Sequence, residues 1–276
     1  MSIEKYGVQL SEYLFNVEIH ELLDKIDSFK KLNTRKMKRQ DITNEINKVL
    51  SFDNKSVLLS FISSIPEGTA LYRIRKLENA EFPNKDFKIL QDAWNPPGKF
   101  VKRQRLNKTF ESLLYTCFDL ETAIEETEVH EEDAFALICY ESIDEIKAIN
   151  IGIENDYSSF DNGERLKLRI LSGFLKEEFT RDVGKGKEHL YEVSEIIAKF
   201  YFDLPPRDVQ DAWLYPSVAN KPTHNLCLRP DIAKEKLKLQ NVLIIDGYKN
   251  VDSDILINVR NNLIGQGKGF VSIMKN

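Results

Sequence analysis

The chain has 276 residues, 42% of them hydrophobic and 10% aromatic, enough to bury a sizeable core in one large domain or two small ones. A formal charge of -5 argues against whole-surface electrostatic binding to nucleic acid. Three cysteines (Cys117, Cys139 and Cys227) are widely spaced, two of them in apolar runs, which fits a reducing, cytoplasmic setting and excludes a disulfide scaffold.

The first residues, MSIEKYGVQLSEYLFNVEIHELLDK, are acidic and lack the unbroken apolar stretch of a signal peptide, and no later run has the length of a membrane span. No membrane partner is expected. Residues 1–65 read as a helical N-terminal extension. Ile19, Leu22, Leu23, Ile26 and Phe29 recur at helical spacing; Asp41 is placed to cap a segment carrying Ile42, Ile46, Val49 and Leu50, and Asn54 one carrying Val57, Leu58, Phe61 and Ile62. Lysines and arginines from Lys30 to Arg39 cross its middle, as suits an accessory domain, a partner surface or a lid.

The turn Pro66-Glu67-Gly68 opens a second region, 66–276, in which strand-like runs dominate. They are Ala70 to Arg75, Ser112 to Phe118, Ala134 to Tyr140, Ile146 to Ile151, Asn225 to Leu228, Asn241 to Ile245, Ile255 to Val259 and Phe270 to Met274. Helical stretches fall at Leu120 to Val129, Glu164 to Thr180, Glu188 to Phe202 and Ile232 to Leu237. Strands and helices without strict alternation predict an α+β domain with a mixed or antiparallel sheet, not a doubly wound fold. Gly184 to Lys187 and Gly265 to Gly269 lack the context of a phosphate-binding loop and read as turns. The long polar segment Glu78 to Gln104 ends among Lys99, Lys102, Arg103, Arg105 and Lys108; too few aromatics interleave with them for a nucleic-acid surface.

Three runs carry candidate chemistry. In LYRIR, strand alternation puts Tyr72 and Ile74 on one face and Arg73 and Arg75 on the other, either as a solvated face or as a guanidinium fork for a diphosphate. In LLYTCFDLETAIEE, a strand holding Tyr115 runs through the cap Asp119 into a helix whose Glu125 and Glu126 form either a solvated acidic face or, through one of the two, a projection over the sheet into a cleft. In WLYPS, Ser217 offers a hydroxyl where proline restricts the backbone, without a nucleophile elbow or a neighbouring general base. His20, His130, His189 and His224 show no metal-ligand spacing with the cysteines, so no metal site is expected.

Taken in order, LYRIR, RLN, LLYTCFDLETAIEE and WLYPS with the following NLCL resemble the RES family of bacterial toxin-antitoxin modules, over roughly Gly68 to Leu239. The resemblance implies an ADP-ribosyltransferase-like fold and a toxin that degrades NAD with inorganic phosphate or water as acceptor, NAD being a substrate and not a bound cofactor. It implies catalytic roles for Arg73, Glu126 and Ser217 and substrate binding by Tyr72, Arg75, Arg105, Asn107 and Tyr115. It also implies an antitoxin partner. Leu106 stands where the family carries an aromatic residue, and no glycine occurs among Lys108 to Glu111. Transfer of ADP-ribose to a macromolecule and a non-catalytic binding module remain as alternative readings.

Overall fold

A computed structural model describes residues 3–52, 55–78, 90–181, 183, 190–203, 205–252, 254–264 and 269–274. In chain order the first elements are α1 (Ile3–Asn16), α2 (Ile19–Lys30), α3 (Arg39–Val49), β1 (Ser51–Phe52), β2 (Lys55–Ser56), β3 (Ile62–Ile65), β4 (Ala70–Lys76), β5 (Leu114–Cys117) and α4 (Leu120–Glu126). They are followed by β6 (Ala134–Ser142), β7 (Ile146–Asn150), α5 (Asn162–Thr180), α6 (Tyr191–Asp203), β8 (Ala212–Pro216) and β9 (His224–Leu228). The chain finishes with α7 (Pro230–Lys236), β10 (Leu237–Val251), β11 (Asp254–Asn262) and β12 (Gly269–Met274). The protein is thus α+β with a large sheet. Among the described residues no helix is long and apolar enough to cross a membrane.

Two compact units divide these elements. One gathers Met1–Ser63, Gly98–Glu111 and Ile149–Pro216; the other gathers Ser64–Pro97, Ser112–Ala148 and Ser217–Asn276. The N-terminal helices share the first unit with later segments of the chain. They need the later helices to bury their apolar stripes. Phe29 of α2 meets Phe174 of α5 edge-on, with ring centroids 5.3 Å apart, and Arg39 of α3 forks onto the buried carboxylate of Glu195 in α6, its second nitrogen donating at 3.0 Å. Asp161 and Glu164 form a reciprocal capping box at the start of α5.

The helix expected from Val57 to Ile62 is absent: residues 57–61 are irregular and Ile62 begins β3, while the proposed cap Asn54 lies outside the described residues. Val57, Leu58 and Leu59 are buried one after another, so this apolar run carries no helical stripe at all. The turns expected at 184–187 and 265–268 lie outside the described residues, as does much of the polar segment after Glu78.

Near the end of α5 the Glu178 carboxyl is buried, with Arg181 on Oε1 and, among the described residues, no partner for Oε2. Burial pushes its pKa up from 4.5 to about 7, with Arg181 opposing the shift and Glu177 adding to it. The folded form therefore holds the proton more tightly than the unfolded chain, so stability is fullest below about pH 4.5 and falls as the pH rises to about 7. The expected loss across that window is about 3 kcal/mol. Urea unfolding at pH 5 and pH 8 checks it, and Glu178→Gln should flatten the difference.

In the second unit the strands lie in the order β12-β11-β10-β6-β4-β5-β9, each pair antiparallel. The run expected from Asn241 to Ile245 extends into the 15-residue β10, because it pairs with β6 on one side and β11 on the other. Gly247 in β10 has φ +89°, and a Cβ there would stand 2.6 Å from the Glu131 carbonyl oxygen, so only glycine lets the loop after α4 approach the strand. One face of the sheet carries the core: Ile74, Cys117, Phe135, Leu137, Ile245 and Ile257 pack with Leu120, Ala123 and Ile124 of α4. That packing seats the short helix bearing Glu126.

Candidate functional site

Asp119 starts α4 by accepting a bond from the Thr122 backbone at 2.7 Å, and Thr122 Oγ1 returns one to Asp119 at 2.8 Å. The helix ends one turn later, where the Thr127 hydroxyl bonds the Ala123 carbonyl at 2.7 Å and Glu128 turns into the left-handed region at φ 50°. Glu126 is therefore the last residue of a capped helix held by buried leucine, alanine and isoleucine. Glu125 is exposed, whereas Glu126 is partly buried, which settles which glutamate enters the polar cluster described next.

Three donors converge on one oxygen of Glu126. Ser217 Oγ donates to Oε1 at 2.6 Å, Asn225 Nδ2 at 2.8 Å and the Val218 backbone N–H at 3.1 Å. Among the described residues none bonds to Oε2. Ser217 is fully buried, and its Oγ accepts from the Asn220 backbone at 3.0 Å, so its hydroxyl is committed to the carboxylate on one side and to its own turn on the other. Asn220 Nδ2 in turn reaches Thr122 Oγ1 at 3.0 Å, closing the turn onto α4. The structure thus brings Ser217 directly onto the Glu126 carboxylate.

Sheet register extends the site. Tyr72 pairs with Cys139 on one side and with Cys117 on the other, and Cys117 pairs with Asn225. Directly paired residues share a face, so Cys139, Tyr72, Cys117 and Asn225 form a row across four strands on the side covered by α4. Tyr115, two residues before Cys117, points to the same side. Burial raises the pKa of the Tyr72 hydroxyl, with smaller contributions from Cys139 and Asp119. Burial likewise raises Cys117, with the carboxylates of Glu126 and Asp119 adding to it. Asn225 and Cys117 were not singled out from sequence, because only the pairing of β5 with β9 brings them under Glu126.

Arg73 is not brought to this cluster. It shares a face with Arg75, as alternation predicted, but that face is the one opposite Tyr72 and α4. Its guanidinium donates to the Trp94 carbonyl at 3.0 Å and lies 3.4 Å from that of Ala93, the carbonyl that also accepts from the Tyr140 hydroxyl, and the Trp94 ring leans on Tyr140 at 5.5 Å. Burial lowers its pKa, partly offset by Tyr140. Arg73 therefore ties down the segment before Pro96. Arg73→Met is expected to cost about 1–3 kcal/mol of stability by removing the guanidinium donor from the Trp94 carbonyl, as equilibrium unfolding would measure.

Arg105 and Asn107 belong to the other unit. Arg105 donates to the Phe179 carbonyl at 2.5 Å and the Arg181 carbonyl at 3.2 Å, beside the Tyr191 ring, and buried Asn107 donates to the carbonyls of Lys102 and Lys108 at 2.9 and 2.7 Å. These bonds fasten the end of α5 and shape the loop.

The chain matches no known protein family, and no curated protein matches it. The chemistry of the site is therefore read from its own residues. Among the described residues no group of three or more His, Cys, Asp or Glu side chains is arranged to hold a metal ion. What the cluster offers is a carboxylate with one oxygen immobilised and the other unbonded, on the sheet face that also carries Tyr72 and Tyr115, a geometry suited to a developing positive charge or to a pair of sugar hydroxyls.

Proposed function

We propose that the protein cleaves the bond between nicotinamide and ribose in NAD, with phosphate or water as the acceptor. The observation that carries this reading is the Glu126 carboxylate: Oε1 is locked by Ser217, Asn225 and the Val218 N–H, and Oε2 is left for the substrate. The order of the runs LYRIR, TAIEE and YPS, which resembles the RES family, supports it further.

In the reaction the ribosyl C1'–N bond breaks, its electron pair returns to the pyridinium nitrogen, and neutral nicotinamide leaves without needing a proton. An oxygen of phosphate or water then bonds to C1' and any surplus proton passes to solvent. The transition state resembles an oxocarbenium ion. A fixed carboxylate stabilises that charge without having to reorganise as it forms. Tyr72 and Tyr115 would wall the site, since their rings can pack on the ribose or the leaving base. The diphosphate anchor is not assigned to Arg73, whose guanidinium serves the opposite face.

Incubation with NAD labelled in the adenosine half tests the reading. Free ADP-ribose, or its 1''-phosphate when phosphate is present, with stoichiometric nicotinamide, is the expected result. Label carried to a macromolecule would point to a transferase instead, and no nicotinamide with or without phosphate would refute cleavage.

A further inference from the structure

Asn225 joins two groups of opposite hydrogen-bonding character. It is 4% exposed; its Nδ2 donates to Glu126 Oε1 at 2.8 Å and its Oδ1 accepts from Cys117 Sγ at 3.2 Å, across the register that pairs the two residues. A carboxylate only accepts, so it requires the NH2 end of the amide; a thiol that keeps its proton donates to the carbonyl end, its sulfur being only a weak acceptor toward an NH2. Burial and the nearby carboxylates favour the protonated thiol. One of the two amide orientations satisfies both neighbours, and the other sets the carbonyl oxygen against a carboxylate oxygen and leaves the thiol only its weak acceptor. The remaining holds on Oε1, from Ser217 and Val218, come from adjacent residues of a single turn. Asn225 holds the same oxygen from a separate strand, which fixes its position in a second direction.

We propose that Asn225 is a positioning residue for Glu126 and that the Cys117 thiol sets the orientation of its amide, so that thiol, amide and carboxylate form one directional chain of hydrogen bonds. No proton is transferred along it. The inference rests on Glu126 being the group that meets the substrate, and it assigns a purpose to a buried cysteine that makes no disulfide.

Three variants test it in the nicotinamide-release assay. Asn225→Asp keeps the shape but cannot donate to Glu126 and sets a second carboxylate against it; kcat should fall about 100-fold with KM for NAD within about twofold. Cys117→Val removes the donor that orients the amide and should lower kcat about tenfold. Cys117→Ser restores a donor and should recover activity to within about threefold of the parent, a rescue that lost packing alone would not produce. The side-chain amide resonances of Asn225 give a readout independent of turnover: they should move in Cys117→Val and return toward the parent position in Cys117→Ser. Unmoved amide signals in Cys117→Val, or a serine variant no better than the valine one, would overturn the proposal. Should the parent protein release no nicotinamide, the reading of Glu126 fails on its own, while the amide resonances still decide the orienting role of Cys117.

Discussion

Glu126→Gln is expected to lower kcat for nicotinamide release about 10²–10³-fold while leaving the unfolding free energy within about 1 kcal/mol of the parent. Glutamine has the same shape, and its carbonyl oxygen can still take the bonds from Ser217, Val218 and Asn225 that now go to Oε1. The fold around the cluster therefore keeps its donors satisfied. What changes is the other terminal atom: an acceptor oxygen becomes an NH2 group, which repels a ribosyl cation and cannot accept from sugar hydroxyls. Loss of rate without loss of stability separates a chemical role from a structural one. Full activity in the variant would remove Glu126 from the mechanism.

Phe135→Ala is expected to cost about 3–5 kcal/mol of stability. Phe135 is fully buried in β6, packs in the core shared with Leu120, Ala123 and Ile124, and meets the Tyr248 ring edge-on at 6.3 Å. Removing the ring leaves a cavity directly beneath the helix that carries Glu126, a helix of only seven residues whose stability comes from packing, since so short a segment does not persist alone. Guanidinium titration would show the lowered midpoint, and nicotinamide release should decline along the same curve. A cost below about 1.5 kcal/mol would mean that α4 is seated by something other than this core.

Local chemistry made several features readable from the sequence. Asp119 followed by Leu120-Glu121-Thr122 reads as a helix start because a short acceptor side chain three residues before a free N–H is satisfied locally, and the structure places Asp119 in that role. The alternation in LYRIR correctly put Arg73 and Arg75 together, since successive strand residues must face opposite ways. The strands expected at Ala70 to Arg75, Ser112 to Phe118 and Ala134 to Tyr140 were legible as compact runs rich in apolar, β-branched or aromatic residues, and they appear as β4, β5 and β6. The segment from Val57 to Ile62 was misread because a short continuous apolar run fits a helix and a buried extended segment equally well.

The sequence by itself determined that the protein is α+β, that Asp119 caps the helix carrying Glu126 and that the two arginines of LYRIR share a face, because each follows from interactions within a few residues. The structure, and not the sequence, ends that helix at Glu126 rather than at Val129. Tertiary structure alone decided that this face is the one turned away from Glu126, since alternation says which residues are together but not which side a helix will cover. It alone brought Ser217 and Asn225 to Glu126 across 91 and 99 residues, and set Cys117 opposite Asn225. Those contacts depend on strand order and register, which shift every partner when the pairing moves by one residue and leave no local trace in the chain.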